Sequence, residues 1–270
     1  VEALHATARW TAAVRAAERS RSDRLVDDPW AELLAGDEGM AWLAGRTPAS
    51  VVPILIRTRY FDDWLLDDVV GSAIGQVVLL AAGLDTRAFR LPWPDGAIVY
   101  EVDRPGVLDA KTAALSRVGA TPGVERRLVP GDLGAPFGRA LVAAGFDPSQ
   151  PAAWLAEGVL FYLPVHVIDH VLAEVTRIAA PGSRLGFDLV NHAALSSPYT
   201  KAWLDMQASA GAPWVGWMDE PSSTLDSLGW VATVVQPGEP PANHGRWTLP
   251  VIPAERSDLP HSWYVTAVRR

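Results

Sequence analysis

Carboxylates recur through the middle of this chain wherever an apolar run stops. Asp85 stands two residues after Gly83 in AAGLD, Glu101 and Asp103 close IVYEVD, Asp132 follows LVPG, Glu157 follows AAWLA, and Asp188 and Asn191 fall in GFDLVN. Side chains of this kind accept hydrogen bonds from hydroxyl and amino groups and attract a positive centre, and a row of them repels phosphate. They act on one ligand only if the fold brings the ends of the runs side by side.

The elements that would do so are legible. Strands are expected at 76–82, 97–103, 124–130, 152–157 and 183–190, with helical stretches between them at 105–118, 135–145 and 164–179. Strands alternating with helices imply right-handed crossovers and a parallel sheet covered on both faces, with ligands outside the carboxyl ends of the strands. Helices are expected before the sheet at 3–20, at 28–44 with Asp28 as cap and Pro29 in the first turn, and at 51–70. After residue 190 the pattern gives helices at 193–210 and 219–229 and two further strands, 230–236 and 262–268. The expected fold is α/β, a doubly wound, mostly parallel seven-stranded sheet in a single domain. Its parts are an N-terminal helical cap (1–70), a ligand-binding core (76–190), a helical lid (191–229) and C-terminal strands (230–270).

Asp103 ends the second strand, where a carboxylate binds a ribose diol. That position fits a nicotinamide dinucleotide and S-adenosylmethionine alike. The first turn separates them: AAGLDT has Gly83 alone where G-x-G-x-x-G needs three glycines to bring a helix N-terminus onto pyrophosphate, and Asp85 adds negative charge there. The acidic rim favours the sulfonium nucleoside.

The 270 residues carry a net charge of −8 and no Lys/Arg stripe, which argues against nucleic acid. The absence of cysteine excludes disulfides, thiolate metal sites and a Cys nucleophile. No stretch approaches the length of apolar residues that spans a membrane, so the expectation is a cytoplasmic protein with no membrane partner. No ligand spacing suggests a metal. Twelve Trp residues fit packing or an aromatic-lined pocket, packing being the commoner reason.

The stretches RTRYFDD, AAGLDTRAFRLPWP, YEVDRP, GDL and WLAEGVLFYL, in this order and spacing, resemble the class I S-adenosylmethionine-dependent methyltransferases of the leucine carboxyl methyltransferase-like group. The resemblance covers about residues 5 to 190. It implies that Arg57 pairs with the methionine carboxylate of the donor, with Arg59 as the alternative one register away. It implies that Ala81 and Gly83 let the backbone approach the methionine moiety, Ala81 standing where the group usually has glycine. Asp103 would bind the ribose with Glu101 behind it, Asp132 the adenine amino group, the Leu133 backbone the ring, and Glu157 the region of the amino group and sulfonium.

Methyl transfer to oxygen depends chiefly on placing the acceptor. A carboxylate acceptor needs no base, whereas a hydroxyl does. Tyr162 is the candidate to line the acceptor pocket beside Glu157; His166, His170 and His192 are weaker candidates. Trp214, Trp217 and Met218 suggest an apolar or aromatic acceptor, a small molecule or peptide of the kind found in specialised metabolism. Plainer expectations are that Asp85 and Arg87 form a surface pair, that Asp62, Asp63, Asp67 and Asp68 form a solvated helix face, and that Asp103 caps the helix after it. The rival readings are an NAD-dependent oxidoreductase and a catalytically silent module of the same fold.

Overall fold

The computed structural model of the chain describes residues 2–72 and 74–270. Three helices, α1 (Glu2–Arg19), α2 (Ala31–Ala44) and α3 (Pro48–Trp64), precede the sheet, α3 running on into a π-helical turn at Leu65–Val70. The chain then alternates: β1 (Gln76–Leu80), α4 (Arg87–Arg90), β2 (Ile98–Asp103), α5 (Pro105–Arg117), β3 (Glu125–Pro130), α6 (Gly138–Ala143), β4 (Ala152–Ala156), α7 (Val165–Ile178) and β5 (Arg184–Val190). Three short helices, α8 (His192–Ser196), α9 (Lys201–Ser209) and α10 (Pro221–Ser227), lead to β6 (Trp230–Val235) and β7 (Ser262–Arg269).

The seven strands form one sheet in the order β3-β2-β1-β4-β5-β7-β6. Five are parallel and β7 runs antiparallel to both its neighbours. The crossovers leave β1 toward β2 on one side and return to β4 on the other, so the order reverses at β1, where a crevice opens. Register makes the site local. Leu80 lies beside Val102 and Leu79 beside Leu155, so the turn after β1, Asp103 and Glu157 meet at one edge.

The central strand is buried along its whole length because both faces are covered. Val78 and Leu80 pack with Tyr100, Val102 and Trp154 on one face, while Val77 and Leu79 pack with Val99, Phe61 and Trp64 on the other. This period of two assigns α3 to one layer and α7 to the opposite one.

Two expected elements differ. The helix drawn from 193 to 210 is broken into α8 and α9 around Pro198, which lacks the N–H and disfavours helix in the residue before it. The helix expected from Asp28 starts at Ala31, with Trp30 as its N-cap. Asp28 instead accepts hydrogen bonds from Arg15 (2.9 Å) and Thr86 (2.6 Å), tying α1 to the turn after β1. Among the described residues no helix is long and apolar enough to cross a membrane.

Candidate active site

The turn after β1 is shaped by two residues of positive φ, Ala81 (50°) and Gly83 (45°). For alanine this conformation costs roughly 1–2 kcal/mol, a strain held at the mouth of the crevice. The Gly83 N–H donates to Asp103 Oδ2 at 2.6 Å, and the Arg104 N–H donates to Asp103 Oδ1 at 2.7 Å. Asp103 therefore points back at the turn and does not cap α5, whose N-cap is Arg104. Each carboxylate oxygen keeps a second acceptor position, and Asp103 lines the crevice. Asp132, exposed on the next strand end, accepts from the Gly134 N–H (2.8 Å) and from Arg104 Nε (3.2 Å). The Gly134 N–H holds its carboxyl below the usual range. Leu133 is buried beside it. Arg104 thus bridges two carboxylates on the rim.

Glu101 has a structural place. It is fully buried and paired with Lys111 (2.8 Å) and Arg126 (2.7 Å), which pin α5 and β3 to β2.

Behind the turn lies an ion network that local sequence did not suggest. Arg57 donates through Nε to Glu157 (3.0 Å) and through Nη1 to Asp188 (3.0 Å). Arg87, 2 % exposed, reaches Asp62 (2.7 Å), Asp85 (2.5 Å) and Glu157 (2.6 Å). Arg90 reaches Asp62 at 2.6 Å. The expected surface pair of Asp85 and Arg87 is therefore a buried one, and Asp62 is no part of a solvated face; the Asp68 side chain lies outside the described residues. Arg59 pairs with Asp63 (2.8 Å), half exposed and away from the crevice, so Arg57 is the cleft arginine. Three guanidiniums face the four carboxylates Asp62, Asp85, Glu157 and Asp188, and the adjoining Lys111 and Arg126 on Glu101 bring the buried network to balance, five cations and five carboxylates.

The carboxyl groups respond differently to this setting. Burial pushes Asp85 up, but Arg87, Arg90 and Lys111 outweigh it and hold it down at about 2. Glu157 follows the same logic: Arg87 and Arg57 outweigh burial and lower it. Asp188 is raised, because burial exceeds what Arg57 and the Gly158 N–H return. Gly158 has φ 70°, and a Cβ there would lie 2.8 Å from Arg57 Nη2. The position thus has two separate reasons for glycine.

The other end of the crevice is aromatic. Trp10 and Trp42 stack at 4.8 Å where α1 meets α2. Phe161 lies 4.3 Å from Trp214 and 4.7 Å from Tyr162 in ring centroids, and Trp203 meets Trp214 edge-on at 6.1 Å. All six line the cleft, together with Gln207. Burial raises the Tyr162 hydroxyl, and Trp214 and Thr7 beside it oppose the shift. Trp217 and Met218 are not in this wall. Trp217 meets His192 at 4.8 Å with the rings tilted by 53°, and Met218 is a core residue whose carbonyl accepts from Trp263. Among the described residues lining the cleft there is no histidine: His166, His170 and His192 lie elsewhere.

This geometry suits a ribonucleoside with a cationic substituent and does not suit a dinucleotide. The first turn leads into α4, only four residues long, so no extended helix aims its N-terminus at the turn. The sequence profile described as leucine carboxyl methyltransferase matches residues 8–176. The chain belongs to that family. A relative from Mycolicibacterium smegmatis, provisionally named an S-adenosyl-L-methionine-dependent methyltransferase, is 39% identical over 93% of this chain and 91% of its own length. One from Mycobacterium avium with the same provisional name is 36% identical over 94% and 90%. Among solved structures, a provisionally assigned methyltransferase from Thermobifida fusca superposes with a TM-score of 0.63 at 18% identity, covering 97% of this chain and 94% of that one. Magnesium protoporphyrin IX methyltransferase from Synechocystis with bound S-adenosylhomocysteine gives 0.52 at 12%, over 87% and 95%. At such identities these two share the fold.

For this leucine carboxyl methyltransferase family member, the structure brings Arg57, Ala81, Gly83, Asp103, Asp132, Leu133, Glu157 and Tyr162 into one cleft. Sequence reading missed Asp62, Arg87 and Arg90 as buried partners and Trp203 and Gln207 as cleft residues. Trp203 and Gln207 are four residues apart, the spacing of one helix face, which is the signal that could have marked them.

Proposed function

We propose that this S-adenosylmethionine-dependent methyltransferase methylates oxygen: a carboxylate or an acidic hydroxyl on an apolar or aromatic small molecule or peptide, of the kind specialised metabolism supplies. The observation that carries the reading is the cleft's acceptor end, walled by Trp10, Trp42, Phe161, Tyr162, Trp203 and Trp214 and, among the described residues, without a histidine. Of the carboxylates lining the cleft, Glu157 and Asp85 are held in ion pairs with Arg57 and Arg87, and Asp103 and Asp132 accept from backbone N–H groups. An acceptor that arrives ionised needs no base, and such a wall can place it without one.

The donor supplies an electrophilic methyl group on a cationic sulfur. Toward it, Asp103 offers its remaining lone pairs to a ribose diol, held in place by the Gly83 and Arg104 N–H groups. The Ala81–Gly83 turn supplies a backbone surface with little side chain. Asp132 and the Leu133 backbone take the adenine edge. Arg57 addresses the methionine carboxylate and Glu157 its amino group, the two already oriented by each other. Tyr162 orients the acceptor oxygen. The helices before the sheet and the 191–229 segment act as covers over the 76–190 core, α1 and α9 both reaching the cleft.

The test is incubation of the protein with methyl-labelled S-adenosylmethionine and extract of the host cell, followed by mild alkali and mass spectrometry. Methyl esters release label as volatile methanol, and aryl ethers keep it on oxygen. Label found only on amines refutes the proposal.

A further inference from the structure

One face of α9 carries an anomaly. Its outer side holds the exposed pair Lys201–Asp205 (2.8 Å), as a surface helix should. Its inner side presents Trp203 and Gln207, one turn apart, to the cleft. Gln207 is 2 % exposed, and its Oε1 has no hydrogen-bond partner among the described residues; neither has the Trp203 indole Nε1–H, also buried. A buried polar atom left unpaired carries the full cost of its lost hydration. The Trp42 and Trp214 indole N–H groups in the same wall are also unpaired among the described residues, and none of the wall's donors bonds Gln207 in the packed arrangement. Turning the amide over exchanges an orphan acceptor for an orphan donor and leaves the deficit. An orphan donor and an orphan acceptor one helical turn apart, at the aromatic end of the cleft, are what a bound molecule with the complementary pair would satisfy.

We propose that Trp203 and Gln207 form a polar clamp for the acceptor. The molecule methylated is then an apolar or aromatic carboxylic acid that also bears a hydrogen-bond donor, a hydroxyl or an amide N–H. The Trp203 indole N–H bonds the carboxylate oxygen that is not methylated, and Gln207 Oε1 accepts from the donor group. The inference rests on the O-methylation reading for the identity of the acid and adds a specificity determinant to it. A site built to bond a substrate donor discriminates against the analogue lacking it more strongly than an apolar pocket discriminates by size.

The experiment measures binding, by calorimetry with S-adenosylhomocysteine present, of matched aromatic acids that differ only in a hydroxyl or in an amide N–H. The proteins are wild type, Gln207→Leu, Gln207→Glu and Trp203→Phe, each checked for unchanged S-adenosylhomocysteine affinity. The wild type should favour the donor-bearing member of a pair by about tenfold or more, the equivalent of one net hydrogen bond. Gln207→Leu should abolish that preference while retaining the affinity for the member without the donor, and Gln207→Glu, which keeps an acceptor, should restore it. Trp203→Phe should weaken both members alike. Equal binding of the pair by wild type, an equal loss of both members in Gln207→Leu, or no binding of any acid overturns the clamp. Base-labile label from cell extract that forms equally with wild type and Gln207→Leu would sink the clamp and leave O-methylation standing. Label confined to amines, with the Gln207-dependent binding intact, would do the reverse.

Discussion

Replacing Arg57 by leucine tests the ion network at Asp188, the carboxylate with no second cation among its described partners. Arg57, Glu157 and Asp188 have side chains 13, 11 and 7 % exposed, and the guanidinium lies 3.0 Å from each carboxylate. Without it Glu157 keeps Arg87 at 2.6 Å. Asp188 retains the Gly158 N–H (2.6 Å) and no cation among its described partners. One buried charge is left uncompensated, and such a loss costs about 3–5 kcal/mol. At roughly 2 °C per kcal/mol for a chain of this size, the melting temperature should fall by about 6–10 °C at pH 8. Burial already raises Asp188, and Arg57 is the largest influence opposing it. In the variant its folded pKa rises further above the unfolded one, so the folded state binds the extra proton. Stability relative to wild type is therefore lost above that pKa and recovered as the pH falls through it toward the ordinary carboxylate range. Thermal unfolding of both proteins between pH 8 and pH 5 should show the gap narrowing, and adding Asp188→Asn to Arg57→Leu should recover much of the loss at pH 8. A gap under about 2 °C, or one that does not change with pH and is not repaired by the second substitution, refutes the reasoning.

Two further outcomes concern the same wall. Asp85 is held at about 2 against an unfolded value of 3.8; its stabilisation is complete above pH 4 and disappears as the pH falls toward 2, about 2 kcal/mol in all. Acid unfolding curves of wild type should therefore fall more steeply between pH 4 and 2 than those of Asp85→Asn, and parallel curves would contradict it. Gly158→Ala places a Cβ 2.8 Å from Arg57 Nη2 at a φ of 70°; it should lower the unfolding free energy by about 1–2 kcal/mol and weaken donor binding as well. A variant with wild-type stability in denaturant titrations would show that the turn has other room.

The sheet could be read from the chain because its central strands β1, β2 and β4 are short apolar runs, a signature of buried parallel strands, whereas edge strand β3, ERRLVP, follows from its place in the alternation. Gly83, Asp103 and Glu157 were legible for a related reason: all sit just past strand ends, and the fold places those ends together. Asp62 was misread because its partners, Arg87 and Arg90, lie 25 and 28 residues away, and a helix full of acids looks solvated until the sheet brings cations to it. Trp217 and Met218 were misassigned for want of a direction. In an irregular segment sequence gives no phase, and the backbone bonds from Val215 and Gly216 to the Phe161 carbonyl point Trp214 inward. Gln207 was hidden by its type, since a polar residue on a short helix reads as surface.

The central claim is that the crevice between Gly83 and Asp103 holds the sulfonium nucleoside. Calorimetric titration of S-adenosylmethionine and of NAD into wild type and Asp103→Ala, with melting temperatures matched, tests it most directly. S-adenosylmethionine should bind at one site and NAD give no heat, and the site should be ten- to hundredfold weaker in Asp103→Ala, about 1.5–3 kcal/mol for hydrogen bonds to a charged acceptor. Saturable NAD binding, or S-adenosylmethionine affinity unchanged by the loss of Asp103, would contradict it.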